Sequence, residues 1–295
     1  MKVMSLYSYR KHCQALPMAD LAQEIRQFCS RHGLKLNTDL GQHFLTDASV
    51  LQRIVEAAHL TTQDHVVEIG PGIGALTREL LKQSKHVTAI ELDERMLPLL
   101  MQFVTQHTDA PTNLTLIHEN ALHVPFPKDP YKIVANIPYH ITSPLLRHAF
   151  LESATTPQSM TLLIQREVAE KICDTENAGL LTILVGLFGT PNIIALVPPQ
   201  SFLPPPKVDS AVLHIECFSA PLTSTQILNE IFRLTKIAFG QKRKMLRNTL
   251  GAFPGGMERL ERASVAASRR PQTLSIAEWI RLAEIFGEDR SHDPS

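Results

Sequence analysis

Cysteine is scarce and scattered in this chain. Cys13, Cys29, Cys173 and Cys217 form no C-x-x-C pair, which removes a zinc ribbon or a redox dithiol from consideration and points to a reduced, cytoplasmic chain with no metal site. No apolar run approaches the ~18 residues that a membrane span needs, and the longest, Leu180 to Leu187, falls far short. The amino terminus lacks a signal-peptide core, although residues 1–19 carry Lys2, Arg10 and Lys11 without an acid, a pattern also compatible with an organelle-targeting segment. Net charge is formally zero, which argues against a protein coated with nucleic acid on every side. What remains is an ordinary globular composition, 44% apolar and 20% charged over 295 residues, long enough for a large domain and a small one.

The periodicity supports that division. Ala19 to Arg31 reads as a helix closed by Gly33, and Val50 to Ala58 as a second. The stretch Asp39 to Asp47 between them is too irregular for a strand and too rich in specific side chains for a linker. Strand His65–Ile69 then runs into Gly70-Pro71-Gly72-Ile73-Gly74, a helix over 75–82, and a strand 86–90 ending at Glu91. Strand, glycine loop, helix and strand with a terminal acid make one unit of a doubly wound sheet, whose ligand lies beyond the carboxyl ends of the strands. The loop reads G-x-G-x-G, since position 75 is Ala, and it has no Lys-Ser/Thr ending, which argues against a phosphate-binding nucleotidase loop. Glu91 follows Gly70 by 21 residues, a spacing at which its carboxylate can accept both ribose hydroxyls of an adenosine-containing cofactor.

Further strands are expected over 114–117, before Asn120, over 132–135, before Asn136, and over 160–164, 193–197 and 211–215. Antiparallel final strands on an otherwise parallel sheet, seven in all, favour this architecture over a six-stranded dehydrogenase sheet. Helices are expected over 94–106, 144–151 and 180–188. After Cys217 the pattern is helical, with Ile227, Ile231, Leu234 and Ala238 on one face and a last amphipathic segment over 274–286 that carries the only Trp, Trp279. The expected organisation is an extension and helix over 1–36, a Rossmann-like domain over 37–218 and a helical domain over 219–295.

Two stretches carry chemistry. Asn136-Ile137-Pro138-Tyr139 ends a strand with an amide side chain, the carbonyl of a residue that has no N–H, and an aromatic ring. An Asn oxygen and a peptide oxygen can accept both hydrogens of an exocyclic NH2 while Tyr139 stacks on the ring that bears it; Phe202, held by the stiff Pro-rich connection 198–206, is positioned to form a second face. The other is basic. Eleven Lys/Arg stand against three acids between Arg233 and Arg281, and Lys242, Arg243, Lys244 and Arg247 form their densest run, a candidate phosphate-binding wall.

Six stretches together carry a resemblance: Leu40-Gly-Gln-His-Phe-Leu45, Glu68-Ile-Gly-Pro-Gly72, Ile90-Glu-Leu-Asp93, Asn136-Ile-Pro-Tyr139, Phe202-x-Pro-x-Pro-Lys-Val-Asp-Ser210 and Ala238-Phe-Gly-Gln-Lys-Arg-Lys244. From about Leu36 to about Phe286 the chain resembles the KsgA-type ribosomal RNA adenine N6,N6-dimethyltransferases. The resemblance implies a class I S-adenosylmethionine-dependent methyltransferase sheet with a small all-α carboxyl-terminal domain. It implies S-adenosylmethionine as methyl donor, no metal, and as substrate two adjacent adenines in the 3′-terminal hairpin of small-subunit (16S) rRNA, modified by a monomer acting on the 30S precursor. By that likeness His43 and Leu45 cover the methionine end of the cofactor, Gly70 and Gly72 approach it through their backbone, Glu91 takes the ribose and Asn120 the adenine edge. Asn136 and the Pro138 carbonyl orient the target N6, Tyr139 and Phe202 clamp its base, and direct in-line transfer needs no general base.

The sequence departs from the family pattern in three places. Asn120 stands where an Asp is usual, Thr38-Asp39 replaces a basic pair, and Ala178-Gly179-Leu180-Leu181 lacks a Tyr and a basic residue. The first bears on the cofactor and the other two on RNA contacts. The nearest rival reading is the 23S rRNA methyltransferase of the macrolide-resistance type; a non-catalytic assembly factor on the same scaffold is another.

Overall fold

A computed structural model of the protein describes residues 21–34, 36, 41–106, 110–241 and 243–288. The readings placed on residues 1–16, Thr38, Asp39, Leu40 and Lys242 lie outside the described residues. In chain order the elements are α1 (Leu21–Arg31), β1 (Phe44–Leu45), α2 (Ala48–Ala57), β2 (His65–Ile69), α3 (Ala75–Gln83), β3 (His86–Glu91), α4 (Met96–Val104), β4 (Leu114–His118) and β5 (Lys132–Asn136). There follow α5 (Thr142–Arg147), β6 (Ser159–Gln165), α6 (Arg166–Cys173), α7 (Leu180–Phe188), β7 (Gly189–Val197), β8 (Phe202–Leu203), β9 (Ser210–Cys217), α8 (Thr225–Gly240), α9 (Gly256–Arg262) and α10 (Ile276–Glu288).

Seven strands form one sheet in the order β4-β3-β2-β5-β6-β9-β7. The first five are parallel, and β9 pairs antiparallel with both β6 and β7. The final strands were expected to be antiparallel; only β9 opposes the sheet, because it inserts as a hairpin return between β6 and β7, so β7 runs with the other five. Alternation along each strand sends side chains to two cores. Ile133 and Ala135 of β5 enter one, with α5, α7, α8 and α10; Val134 enters the other, with α1, α2 and α4. The helical region after β9 therefore shares a continuous apolar cluster with one face of the sheet, in which Trp279 is fully buried beside Phe239.

Local signals place most boundaries. Asp47 caps α2 by accepting from the Ser49 and Val50 amides at 3.0 and 3.4 Å, an arrangement that contributes about 1 kcal/mol. Gly33, at φ 56°, ends the chain reversal after α1. α1 is tied to α3 by two hydrogen bonds from Arg78 to Glu24 at 2.6 and 3.1 Å, and Phe28 meets Phe103 edge-on. The helix expected over 144–151 begins earlier, at Thr142, and continues past Arg147 in a π-helical turn to Glu152.

One difference from expectation matters for the site. The irregular stretch before α2 contains a strand after all: Phe44 and Leu45 of β1 pair antiparallel with Leu203 and Phe202 of β8. The Thr46 amide and hydroxyl both donate to the Ser201 carbonyl, at 2.8 and 3.0 Å, and the Ser201 hydroxyl donates to Asp47 Oδ2 at 3.1 Å. This staple fastens residues 44–47 to the Pro-rich connection.

Candidate active site

The carboxyl ends of β2, β3, β4 and β5 open into a cavity of about 460 Å³, large enough for a nucleoside with a substituent. Gly70, Glu91, Asn120 and Asn136, each following or ending a different strand, all line it, and the strip Gly41 to Leu45 covers one side. The glycines are there for space. Gly72 lies at φ 57°, and a Cβ on it would stand 2.8 Å from the Phe44 ring; a Cβ on Gly41 would stand 2.9 Å from Pro138 Cβ. The strip and the glycine loop thus pass each other with no room for a side chain.

Two acids are buried at the cavity. Glu91 is 8% exposed; its two oxygens accept the amides of Gly72 at 3.0 Å and Asp93 at 2.9 Å. Burial nonetheless raises its pKa, against those two hydrogen bonds. Each oxygen keeps a second lone-pair direction for a ligand hydroxyl. Glu68, the fourth residue of β2, is 1% exposed and lines the same cavity. Asp93 anchors the strip from outside: it accepts Gln42 Nε2 at 2.8 Å, while hydrogen bonds from Arg95 pull its pKa down to about 2.

Asn136 is oriented by the strip. Its Nδ2 donates to the His43 carbonyl at 3.2 Å, and because a carbonyl can only accept, that contact determines which way the amide points. Among the described residues no hydrogen bond engages Oδ1. The Pro138 carbonyl accepts the Ile141 amide at 3.1 Å as the chain enters a short 3₁₀ turn, and retains one lone pair. His43 Nδ1 donates to the Pro204 carbonyl at 2.7 Å, and its ring lies nearly parallel to Tyr139, 6.3 Å between centroids.

The aromatic pair differs from its expected placement. Tyr139 is partly buried, with its hydroxyl 2.6 Å from Ser210 Oγ, and neither it nor Phe202 lines the cavity. Phe202 is 4% exposed and belongs to the α1–α2 core, since pairing of β8 with β1 turns its ring inward. Asn120 also differs in detail: its Oδ1 already accepts the Leu122 amide at 3.0 Å in an Asx turn, so one lone pair and the Nδ2 donors face a ligand. His43 and Leu45 line the cavity, the latter from the strand missed in the sequence.

Residues that sequence reasoning left without a role are Glu68, Gln42 and Asp93. Glu68 had one visible signal, a charged residue inside the otherwise apolar run of β2. The Gln42–Asp93 contact had none, because its partners are 51 residues apart.

The basic run lies elsewhere, beyond α8. Arg243, Lys244 and Arg247 are exposed, and none makes an ion pair among the described residues. Three other cations of the region are already neutralised: Arg233 pairs with Glu230, Arg262 with Glu288 and Arg269 with Glu278. The loop is anchored by its backbone, Leu246 and Arg247 donating to the Arg269 and Ala267 carbonyls, which leaves the side chains to solvent.

Comparison with known proteins agrees with this geometry. A family model described as Ribosomal RNA adenine dimethylase matches residues 33–288. The chain is 38% identical to the Ribosomal RNA small subunit methyltransferase A of Clostridium botulinum (strain Kyoto / Type A2), over 88% of its own length and 97% of the relative's. It is 35% identical to the protein of that name from Enterococcus faecalis (strain ATCC 700802 / V583), over 90% and 95%. Among solved structures, a dimethyladenosine transferase from Plasmodium falciparum superposes with a TM-score of 0.74 at 28% identity, covering 84% of this chain and 98% of that one. The 23S rRNA methyltransferase ErmE gives 0.67 at 28%, covering 82% and 98%. A seven-stranded class I methyltransferase sheet, a glycine loop with a buried acid at the next strand end, and a family match across nearly all of the described chain agree: this protein belongs to the ribosomal RNA adenine dimethylase family.

Proposed function

We propose that the protein dimethylates N6 of two adjacent adenines in the 3′-terminal hairpin of small-subunit (16S) rRNA, acting as a monomer on the 30S precursor in the cytoplasm, with S-adenosylmethionine as donor. The observation that carries this reading is the Asn136 carboxamide, held by the His43 carbonyl with Oδ1 unengaged at a cavity that Pro138 also lines. Oδ1 and the Pro138 carbonyl are both acceptors, so an exocyclic NH2 placed against them meets two oxygens and has its lone pair directed away from them.

The cavity fits the cofactor on its own features. Glycines at positive φ leave backbone where a Cβ would collide, Glu91 keeps acceptor capacity for ribose hydroxyls, and Glu68 Oε2 is a buried oxygen with no hydrogen-bond partner among the described residues. Asn120 sits where an adenine edge would lie, and His43 and Leu45 wall off the remaining side. Bound there, S-adenosylmethionine supplies an electrophilic methyl carbon, so the chain need only position the amine and exclude water. Tyr139, beside Asn136, offers the face for the target base. Phe202 supplies the second face only if its ring leaves the core; where it stands it supports the β1–β8 staple. Arg243, Lys244 and Arg247, with Lys242, provide the phosphate contacts.

The small-subunit substrate is supported by relatives of that name that align along almost their whole length. Mass spectrometry of rRNA from cells with and without the protein tests it. Two N6,N6-dimethyladenines at the 3′ end of small-subunit rRNA are expected only where the protein is present; methylation of large-subunit rRNA instead would replace the assignment.

A further inference from the structure

Two carboxyl groups face one cavity, and the protein treats them differently. Glu91 has a backbone amide on each oxygen. Glu68 lines the cavity but is buried more deeply: its Oε2 is closed off from solvent, and among the described residues neither that oxygen nor the Thr77 hydroxyl has a hydrogen-bond partner. Burial pushes the Glu68 carboxyl up to about 8, and the charge of Glu91 adds to the rise. A carboxylate left alone at such a depth costs several kcal/mol, so of two neighbouring acids the one without amide donors keeps the proton.

We infer that Glu68 is a proton-coupled counter-ion in the cofactor site: it is neutral before the ligand enters, and it ionises against a cationic group of the ligand, passing one proton to solvent. The inference rests on the cofactor reading given above. S-adenosylmethionine carries two cations, the sulfonium and the α-ammonium, and either, placed in the cavity that Glu68 lines, would give the carboxyl the compensating charge that the protein withholds from it. Charge is conserved: a neutral acid and a cation become an ion pair and a released proton. Of the other titratable groups around the cavity, Glu91 and Asp93 are engaged as described, and Glu94, Arg95, Glu119 and the imidazoles of His43, His118 and His140 also line it.

Calorimetry of ligand binding in buffers of different ionisation enthalpy counts the proton directly. At pH 7 the wild type should release about one proton per S-adenosylmethionine bound, and affinity should rise about tenfold from pH 6 to pH 7, the slope for one group that must lose its proton. In Glu68→Gln the release should vanish while the histidines remain. S-adenosylhomocysteine keeps the ammonium and lacks the sulfonium, and methylthioadenosine lacks both: release with the first two ligands assigns the ammonium, and release with S-adenosylmethionine alone assigns the sulfonium. Release with methylthioadenosine, or unchanged release in Glu68→Gln, would overturn the inference, the latter handing the proton to another group, Glu91 first. Tight S-adenosylmethionine binding with no proton released would also sink it while leaving the cofactor reading intact; no binding at all would sink both. Infrared difference spectra of the wild type give a check independent of the variant's folding, since a protonated-carboxyl band should disappear when the ligand binds, and a band that persists contradicts the proposal.

Discussion

The cleft at the strand ends and the basic loop beyond α8 serve two halves of one reaction, and they are built in opposite ways. In the cleft the ligand-facing side chains are held in place by the protein: Glu91 accepts two amides, Asn136 is held by His43, and Gln42 is clasped by Asp93. In the loop the backbone is tied down while Arg243, Lys244 and Arg247 point to solvent. A cleft that must hold one amine and one cofactor gains from preorganisation, since orientation set before binding is not paid for during the reaction. A surface that must follow a phosphate backbone gains from mobile, unpaired cations, whose attraction is long-ranged and tolerant of geometry. Substitutions in the first region should therefore act sharply and locally, and those in the second gradually and with salt.

The largest effect expected is at Asn136. Asn136→Ala should lower the methyl-transfer rate by about a hundredfold or more, the scale for a misplaced reacting group, with cofactor affinity by calorimetry close to wild type. Equal turnover would mean that the cleft is not preorganised around this amide. Next is Glu91→Ala, which removes two acceptors and should weaken S-adenosylmethionine binding by about 10- to 100-fold, the worth of charge-assisted hydrogen bonds; unaltered affinity would remove Glu91 from the site.

Neutralising Arg243, Lys244 and Arg247 together tests the other side of the comparison. Affinity for rRNA should fall gradually, and the slope of log K against log salt should flatten by about two to three, at roughly 0.7–0.9 for each phosphate no longer neutralised, with cofactor binding untouched. An unchanged slope would make the loop an ordinary solvated surface.

The smallest effect concerns acid. Arg95 holds the Asp93 carboxyl at about 2, below the value near 3.9 expected in the unfolded chain. The stabilisation it contributes is complete above pH ~4 and is lost as pH falls toward 2. Arg95 is largely exposed, so solvent screening limits the contribution to about 1 kcal/mol. Asp93→Asn should remove this acid-dependent component from thermal unfolding curves; curves that keep it would place the acid sensitivity elsewhere.

Legibility followed distance along the chain. Gly70, Gly72, Glu91 and Asn136 could be read because each sits at the end of a strand whose alternation or apolar run is visible within a few residues. The charge count around Arg243 was equally plain, but not which cations are free, since Arg262 and Arg269 are neutralised by Glu288 and Glu278 on the last helix, which only folding brings to them. β1 and β8 are two residues each, too short for any period, and they pair across more than 150 residues. That pairing explains why Phe202, read as a second face for the target base, is a buried support. The reversal of β9 alone was hidden for a similar reason: a strand's pattern gives its faces and not its direction.

The order of letters by itself determined the doubly wound sheet, the ligand end of that sheet and the residues that reach it, because periodicity and turn chemistry act over a handful of neighbours. Tertiary structure alone decided which carboxyl is left without a donor, which way the Asn136 amide faces and which cations remain unpaired. Hydrogen bonds and burial are settled by what the rest of the chain brings alongside, and no local stretch contains that information.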